Sequence, residues 1–174
     1  MNLQAKIERE MRIVEDFPST GISFKDFSGL FRNPKLSKDV IKALAEDLHG
    51  KVDVVCGIES RGFILGFPLA LELNVPFVLV RKKGKLPPPV VSANYDLEYG
   101  SATLEMVENH IEPGNRVLIH DDVLATGGTA AACAKLVEKM GGEVVEFNFL
   151  IELAFLNGRK QLNTPVKSLI SYAK

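Results

Sequence analysis

Little in this sequence would mark a secreted, membrane or nucleic-acid-binding protein. It holds 2 cysteines, too few for a disulfide framework and in no Cys/His cluster with zinc spacing. Both read as small core residues, Cys56 in a strand and Cys133 in a helix. A reducing cytoplasm is the expected compartment. Neither sign of charge prevails: 21 Lys and Arg face 22 Asp and Glu, for a net charge of −1. A general nucleic-acid binder would carry a basic excess, so no nucleic-acid partner is expected. No apolar run approaches the roughly 20 residues that cross a bilayer, so no membrane partner is expected either. Residues 1–15 mix Lys6, Glu8, Arg9, Glu10 and Arg12 with Leu3, Ile7, Met11 and Val14. That is an amphipathic helix, not a signal peptide. There is no repeat and no low-complexity segment.

What is present is a chain of 174 residues, 46% hydrophobic, enough for one domain over 1–174 with a sizeable core. Residues 16–31 are irregular, broken by Pro18, Gly21 and Gly29. A helix is predicted from Asn33-Pro34 to His49, with Leu36, Val40, Leu44 and Leu48 on one face and Gly50 ending it. Residues 52–58 read as a buried strand. The turn Glu59-Ser60-Arg61-Gly62 then leads into an apolar helix to about Leu73, bent at Pro68. Further strands are predicted over 77–80, 116–120, 144–150 and 166–170, with a helix over 126–140. Strand, helix, strand at this spacing argues for an α/β protein whose mostly parallel central sheet is flanked by helices. Arg81 to Ser92, with Arg81, Lys82, Lys83, Gly84 and Lys85 followed by Pro87-Pro88-Pro89, reads as a mobile surface loop. Residues 93–97 and 102–107 read as a hairpin turning near Tyr99-Gly100.

The sharpest signal is the run Val117-Leu118-Ile119-His120-Asp121-Asp122-Val123-Leu124-Ala125-Thr126-Gly127-Gly128-Thr129. An apolar strand meets two carboxylates, then a small-residue turn, then a helix start. Ligands of open α/β sheets bind at the carboxyl ends of strands. The N–H groups of Thr126 to Thr129, the threonine hydroxyls and the helix dipole suit a phosphate monoester. A carboxylate accepts hydrogen bonds only, so Asp121 and Asp122 suit a vicinal diol such as that of ribose. The combination describes a ribose 5-phosphate site. It is not a Walker loop, because Gly84-Lys85 is followed by Leu86, and no G-x-G-x-x-G occurs. An Asp pair alone would be an ordinary solvated turn; the thirteen-residue string is far more specific.

This string resembles the 5-phosphoribosyl-1-pyrophosphate (PRPP) motif of the type I phosphoribosyltransferases. Phe17-Pro18 with Gly21 to Asp26, Glu59 to Phe63, Arg81 to Pro87 and Leu97 to Gly100 extend the likeness over nearly the whole chain. They resemble the branch of that family that acts on adenine. The resemblance implies the type I fold, with a small N-terminal hood over 1–31 and a flexible catalytic loop over 82–97. It implies that adenine and PRPP become AMP and pyrophosphate, with Mg²⁺, in purine salvage. Ala125, Thr126, Gly127, Gly128 and Thr129 would hold the 5-phosphate, and Asp121 and Asp122 the ribose hydroxyls. Charge there would also favour the oxocarbenium-like centre. Glu59, Ser60 and Arg61 would form the pyrophosphate loop, where the family often has a non-proline cis peptide. Arg81, Lys82, Lys85 and Tyr99 would add to the PRPP site, with Arg81 reaching the neighbouring subunit of a homodimer. Magnesium would be held mainly by PRPP, pyrophosphate and water. Glu98 would accept or relay the purine proton on lid closure, which would also exclude water. Ser23, Phe24 and Lys25 would recognise adenine by main chain and stacking, with Leu153 capping the other face. Two alternatives stay open: a phosphoribosyltransferase for another base, such as xanthine or orotate, and a non-catalytic PRPP-sensing regulator. His120 is either a satisfied core histidine or a tuner of Asp121.

Overall fold

A computed structural model describes residues 2–96 and 101–173. It divides into two compact units, Met1–Ala43 and Leu44–Lys174; the hood expected over 1–31 thus belongs to a unit extending through Ala43.

The N-terminal unit opens with helix α1 (Leu3–Glu10), capped by the Asn2 side chain, which accepts from the Ala5 N–H. Its apolar side buries Ile7 completely. The helix expected to reach residue 15 stops at Glu10. The chain continues as strand β1 (Arg12–Val14), antiparallel to β2 (Phe24–Asp26). An Arg12–Asp26 ion pair of 2.9 Å ties β1 to β2, and the β-branched Ile13 and Val14 favour the extended form. A 3-10 turn (Ser28–Arg32) buries Leu30. Helix α2 (Pro34–Ala45) follows, with Asn33 capping it through the Leu36 N–H.

The C-terminal unit is built on a seven-stranded sheet. Its strands are β3 (Val54–Ile58), β4 (Phe77–Lys82), β5 (Val90–Asp96), β6 (Ser101–Val107), β7 (Arg116–Leu124), β8 (Glu143–Leu153) and β9 (Val166–Tyr172), in the order β5-β6-β4-β3-β7-β8-β9. The five strands from β4 to β9 in that order pair parallel, and the β5–β6 hairpin pairs antiparallel along the β4 edge. The mostly parallel sheet expected from the spacing is therefore observed. β3 is buried throughout, as a parallel strand covered on both faces should be. Helix α3 (Gly62–Leu73) links β3 to β4, and α4 (Gly128–Lys139) links β7 to β8. The sheet grows in opposite directions from the β3–β7 pair, so right-handed crossovers place α3 and α4 on opposite faces. The carboxyl ends of β3 and β7 meet at this switch point, where such sheets bind ligands. The core under α4 includes Ile119, Leu136, Val137, Phe147 and Phe149, each worth about 1.5–3 kcal/mol on burial.

As expected, α3 holds Pro68 and ends at Leu73. Other boundaries differ from the sequence expectation. β7 runs four residues past His120, because Asp121, Val123 and Leu124 keep pairing with Phe149, Ile151 and Glu152. The surface loop expected over 81–92 is shorter. Arg81 and Lys82 pair with Glu105 and Leu104, and Val90 to Asp96 pair with Val107 to Ser101. Backbone pairing, with Ala93 buried, overrode the basic and proline-rich composition.

Candidate active site

β7 delivers the twin aspartates to the switch point, and the chain then turns through Ala125-Thr126-Gly127 into α4. Gly127 takes the N-cap place with φ +88° and offers no side chain to cap the helix. The first N–H groups of a helix have no intrahelical acceptor, so this start presents donors and a positive dipole end to an anion. Asp121, Leu124, Ala125, Thr126, Gly127 and Thr129 help line a small hollow there. The turn predicted to cradle phosphate is this uncapped helix start.

The two carboxylates differ. Asp122 is buried, and its Oδ2 lies 2.8 Å from Arg61 Nε. The pair is held by charge and proximity, since that oxygen receives no aligned hydrogen bond. Asp121 is half-buried and accepts the Asp122 N–H at 2.8 Å. Burial pushes its carboxyl well above the usual range, and the Asp122 charge adds to the push while Arg61 offsets part of it. Arg61 reaches the pair because α3 starts against the end of β7: a Cβ on Gly62 would stand 2.8 Å from Asp121 Oδ1.

The end of β3 gathers the cations. The Glu59–Ser60 peptide is cis, as the resemblance implies. Glu59 accepts from Arg81 Nε at 2.7 Å and from Lys85 Nζ at 3.1 Å, and Arg81 Nη1 donates to the Lys85 carbonyl at 3.2 Å. Burial works against the Glu59 charge, but these hydrogen bonds outweigh it and lower the pKa. Within one chain Arg81 is thus engaged by Glu59. Lys82 ends β4, and the Gly84 N–H donates to the buried Glu105.

In the N-terminal unit Phe24 packs edge-on against Phe17, with centroids 5.2 Å apart. Ser23 donates to Glu15 and accepts from Lys25, both at 3.0 Å. In the C-terminal unit Leu153 ends β8. Glu98 and Tyr99 lie outside the described residues.

His120 is fully buried, and its Nδ1 lies 2.9 Å from Asn148 Oδ1; Asn148 Nδ2 donates to the Leu44 carbonyl. Desolvation lowers its pKa, against the opposing pulls of Asn148 and Asp122. It is a core histidine on the same face of β7 as Asp122, with its Nε2 buried and without a hydrogen-bond partner. Asn148, its partner across the β7–β8 register, was unremarked in the sequence, though a lone amide amid Phe147, Phe149, Leu150 and Ile151 was a signal. Glu152, Gly158 and Arg159, behind the Ala125–Gly127 turn, were missed as well. Only the folded chain brings them there.

A mostly parallel sheet with an uncapped helix start after an acidic strand end frames the class: residues 26–171 match the phosphoribosyl transferase domain, and the chain belongs to that family. Its relatives narrow the class. The adenine phosphoribosyltransferase of Flavobacterium johnsoniae is 52% identical over 169 residues, covering 96% of this chain and 99% of that one. The crystal structure of the adenine phosphoribosyltransferase from Rhodothermus marinus matches with a TM-score of 0.92 at 50% identity, over 98% of both chains. The Saccharomyces cerevisiae enzyme, solved with an imino-altritol bisphosphate and adenine, matches with a TM-score of 0.92 at 44% identity, over 96% of this chain and 98% of that one.

Proposed function

We infer that this chain is an adenine phosphoribosyltransferase: it moves the 5-phosphoribosyl group from PRPP to adenine, releasing AMP and pyrophosphate. The observation that carries the inference is the uncapped start of α4 directly after Asp121 and Asp122. The Ala125–Thr129 amides and hydroxyls take the 5-phosphate. Asp121 and Asp122 accept from the ribose hydroxyls. As the C1–oxygen bond to pyrophosphate breaks and the C1–N9 bond forms, their charge stabilises the cationic sugar. Arg61, Ser60, Arg81, Lys82 and Lys85 face the leaving pyrophosphate, with Arg81 and Lys85 exchanging Glu59 for it. Tyr99 is assigned to the PRPP site, and Glu98 to accept the purine proton. Phe24, with the main chain of Ser23 and Lys25, is assigned to the base, as is Leu153.

Among the described residues no three His, Cys, Asp or Glu side chains cluster to hold a metal. We assign the magnesium ion to PRPP oxygens and water. When bound, it would share the negative charge of the leaving group.

A homodimer is supported by an exposed apolar stripe on α3. Ile64, Phe67 and Leu71 are 47%, 52% and 64% exposed. Phe77, against the rings of Phe63 and Phe67, shares one face of β4 with Leu79 and Arg81. A second copy seated on this stripe would come within reach of Arg81. No helix among the described residues is long and apolar enough to cross a membrane, and we assign the enzyme to the cytoplasm.

Incubation with adenine, PRPP and Mg²⁺ should yield AMP by chromatography. A panel with xanthine and orotate tests the base. Nucleotide formed from another base in preference to adenine, or no AMP from folded protein, would overturn the reading.

A further inference from the structure

The phosphate turn does not stand alone; a second turn backs it. After β8 the chain passes through a short 3-10 turn (Ala154–Leu156) and a left-handed Asn157, with φ +55°, into a second one, Gly158–Gln161. The two backbones touch with no room for a side chain on either. A Cβ on Gly158 would overlap the Ala125 carbonyl oxygen, and a Cβ on Gly127 would overlap the Gly158 carbonyl oxygen. The place of Gly158 therefore decides the place of Gly127, and with it the direction of the amides that open α4.

The next residue fixes that place. Arg159 forks onto the buried Glu152, Nε to Oε1 at 2.6 Å and Nη2 to Oε2 at 2.7 Å. Its Nη1 donates to the Val166 carbonyl at 2.7 Å and Nη2 also reaches Ser168 Oγ at 3.2 Å. Ser168 in turn donates to Glu152 at 2.8 Å. A bidentate guanidinium–carboxylate pair sets orientation as well as distance. Glu152 pairs in register with Leu124, the residue before the phosphate turn. The anchor is thus tied to β7, β8 and β9 at once.

We propose that Arg159 and Glu152 are positioning residues for phosphoribosyl binding, holding Gly158 as a backstop that aims the amides of the phosphate turn. Neither touches substrate. The proposal rests on the assignment of the Ala125–Thr129 turn to the 5-phosphate. Misplacing a binding turn by an ångström costs up to about a hundredfold, so Arg159→Met, which keeps the apolar stem and loses the fork, should weaken PRPP and AMP binding roughly ten- to a hundredfold. Arg159→Lys, which keeps charge and one donor, should fall between Arg159→Met and the unaltered enzyme.

Calorimetry with PRPP, AMP and inorganic pyrophosphate tests this. Pyrophosphate, assigned to the Glu59–Arg61 loop, should bind Arg159→Lys and Arg159→Met as it binds the unaltered enzyme, whereas a general loosening of the fold would weaken all three ligands alike. Thr129→Ala is the control for the underlying assignment. If it leaves PRPP and AMP affinity unchanged, the phosphate reading fails and the proposal with it. If it weakens both while folded Arg159→Lys and Arg159→Met do not, or if either Arg159 variant loses pyrophosphate equally, the backstop alone is overturned. Should Arg159→Met not fold, Arg159→Lys and Ser168→Ala carry the test, each expected to show a smaller loss confined to PRPP and AMP.

Discussion

At its amino end β7 begins with Arg116, which grips Asp53 by Nε and Nη2 at 3.0 and 2.8 Å, adds its own N–H at 2.8 Å, and donates Nη1 to the Gly50 carbonyl. At its carboxyl end the same strand carries two adjacent carboxylates, and Arg61 lies against one oxygen of the pair. The consequences are opposite in sign. Hydrogen bonds from Arg116 hold the Asp53 carboxyl down to about 2, whereas burial and a like charge push Asp121 up. Charges at the base are fully partnered; charges at the top are crowded and short of donors. The base of the strand is satisfied within the fold, while Asp122 at the top keeps a buried carboxylate oxygen without a hydrogen-bond partner. Displaced carboxyl pKa values of the second kind mark functional sites.

The largest expected effect comes from breaking the top. Asp122→Asn should lower kcat by about a hundredfold, the scale for losing one electrostatic partner of the transition state, as read from initial rates at saturating PRPP and adenine. An equal kcat loss in Asp53→Asn would erase the contrast. Asp121→Asn sharpens it through stability. A carboxyl whose folded pKa is raised loses stability as pH rises through that value. Removing the charge should therefore raise the thermal midpoint at pH 8 while lowering kcat/KM roughly tenfold, and the gain should vanish below about pH 3.8, the ordinary value. A lower midpoint at pH 8 would contradict the assigned crowding. The smallest effect belongs to the base. Asp53→Asn should leave kcat unchanged and lower the thermal midpoint modestly near neutrality. Because the folded pKa of Asp53 is depressed, that deficit should close as pH falls from 3.8 towards about 2. A deficit that persists at pH 2 would show that the ion pair is not its source.

Much of this was legible along the chain because its causes are local. Apolar runs with short turns mark the parallel strands, and the string from Val117 to Thr129 holds an acidic strand end and a glycine turn within thirteen residues. The cationic stretch was recognised by charge, but its extent was misjudged. Strand pairing with β6 drew in Arg81, Lys82 and Val90 to Ser92, and composition carries no record of which edge a segment finds. Nor does it record that Glu59 would hold Arg81 and Lys85, which lie 22 and 26 residues away.

Sequence alone determined the fold class, the glycine turn into α4 and the identity of the charged groups, because periodicity, glycine and helix starts act over a few residues. Tertiary structure alone decided which charges would be satisfied. It set Asp53 against Arg116, Arg61 against Asp122, His120 against Asn148 and Arg159 against Glu152. Those pairings depend on strand order and register, which arise from packing distant segments together, and they separate the fully paired aspartate at the base of β7 from the two that crowd each other at its carboxyl end.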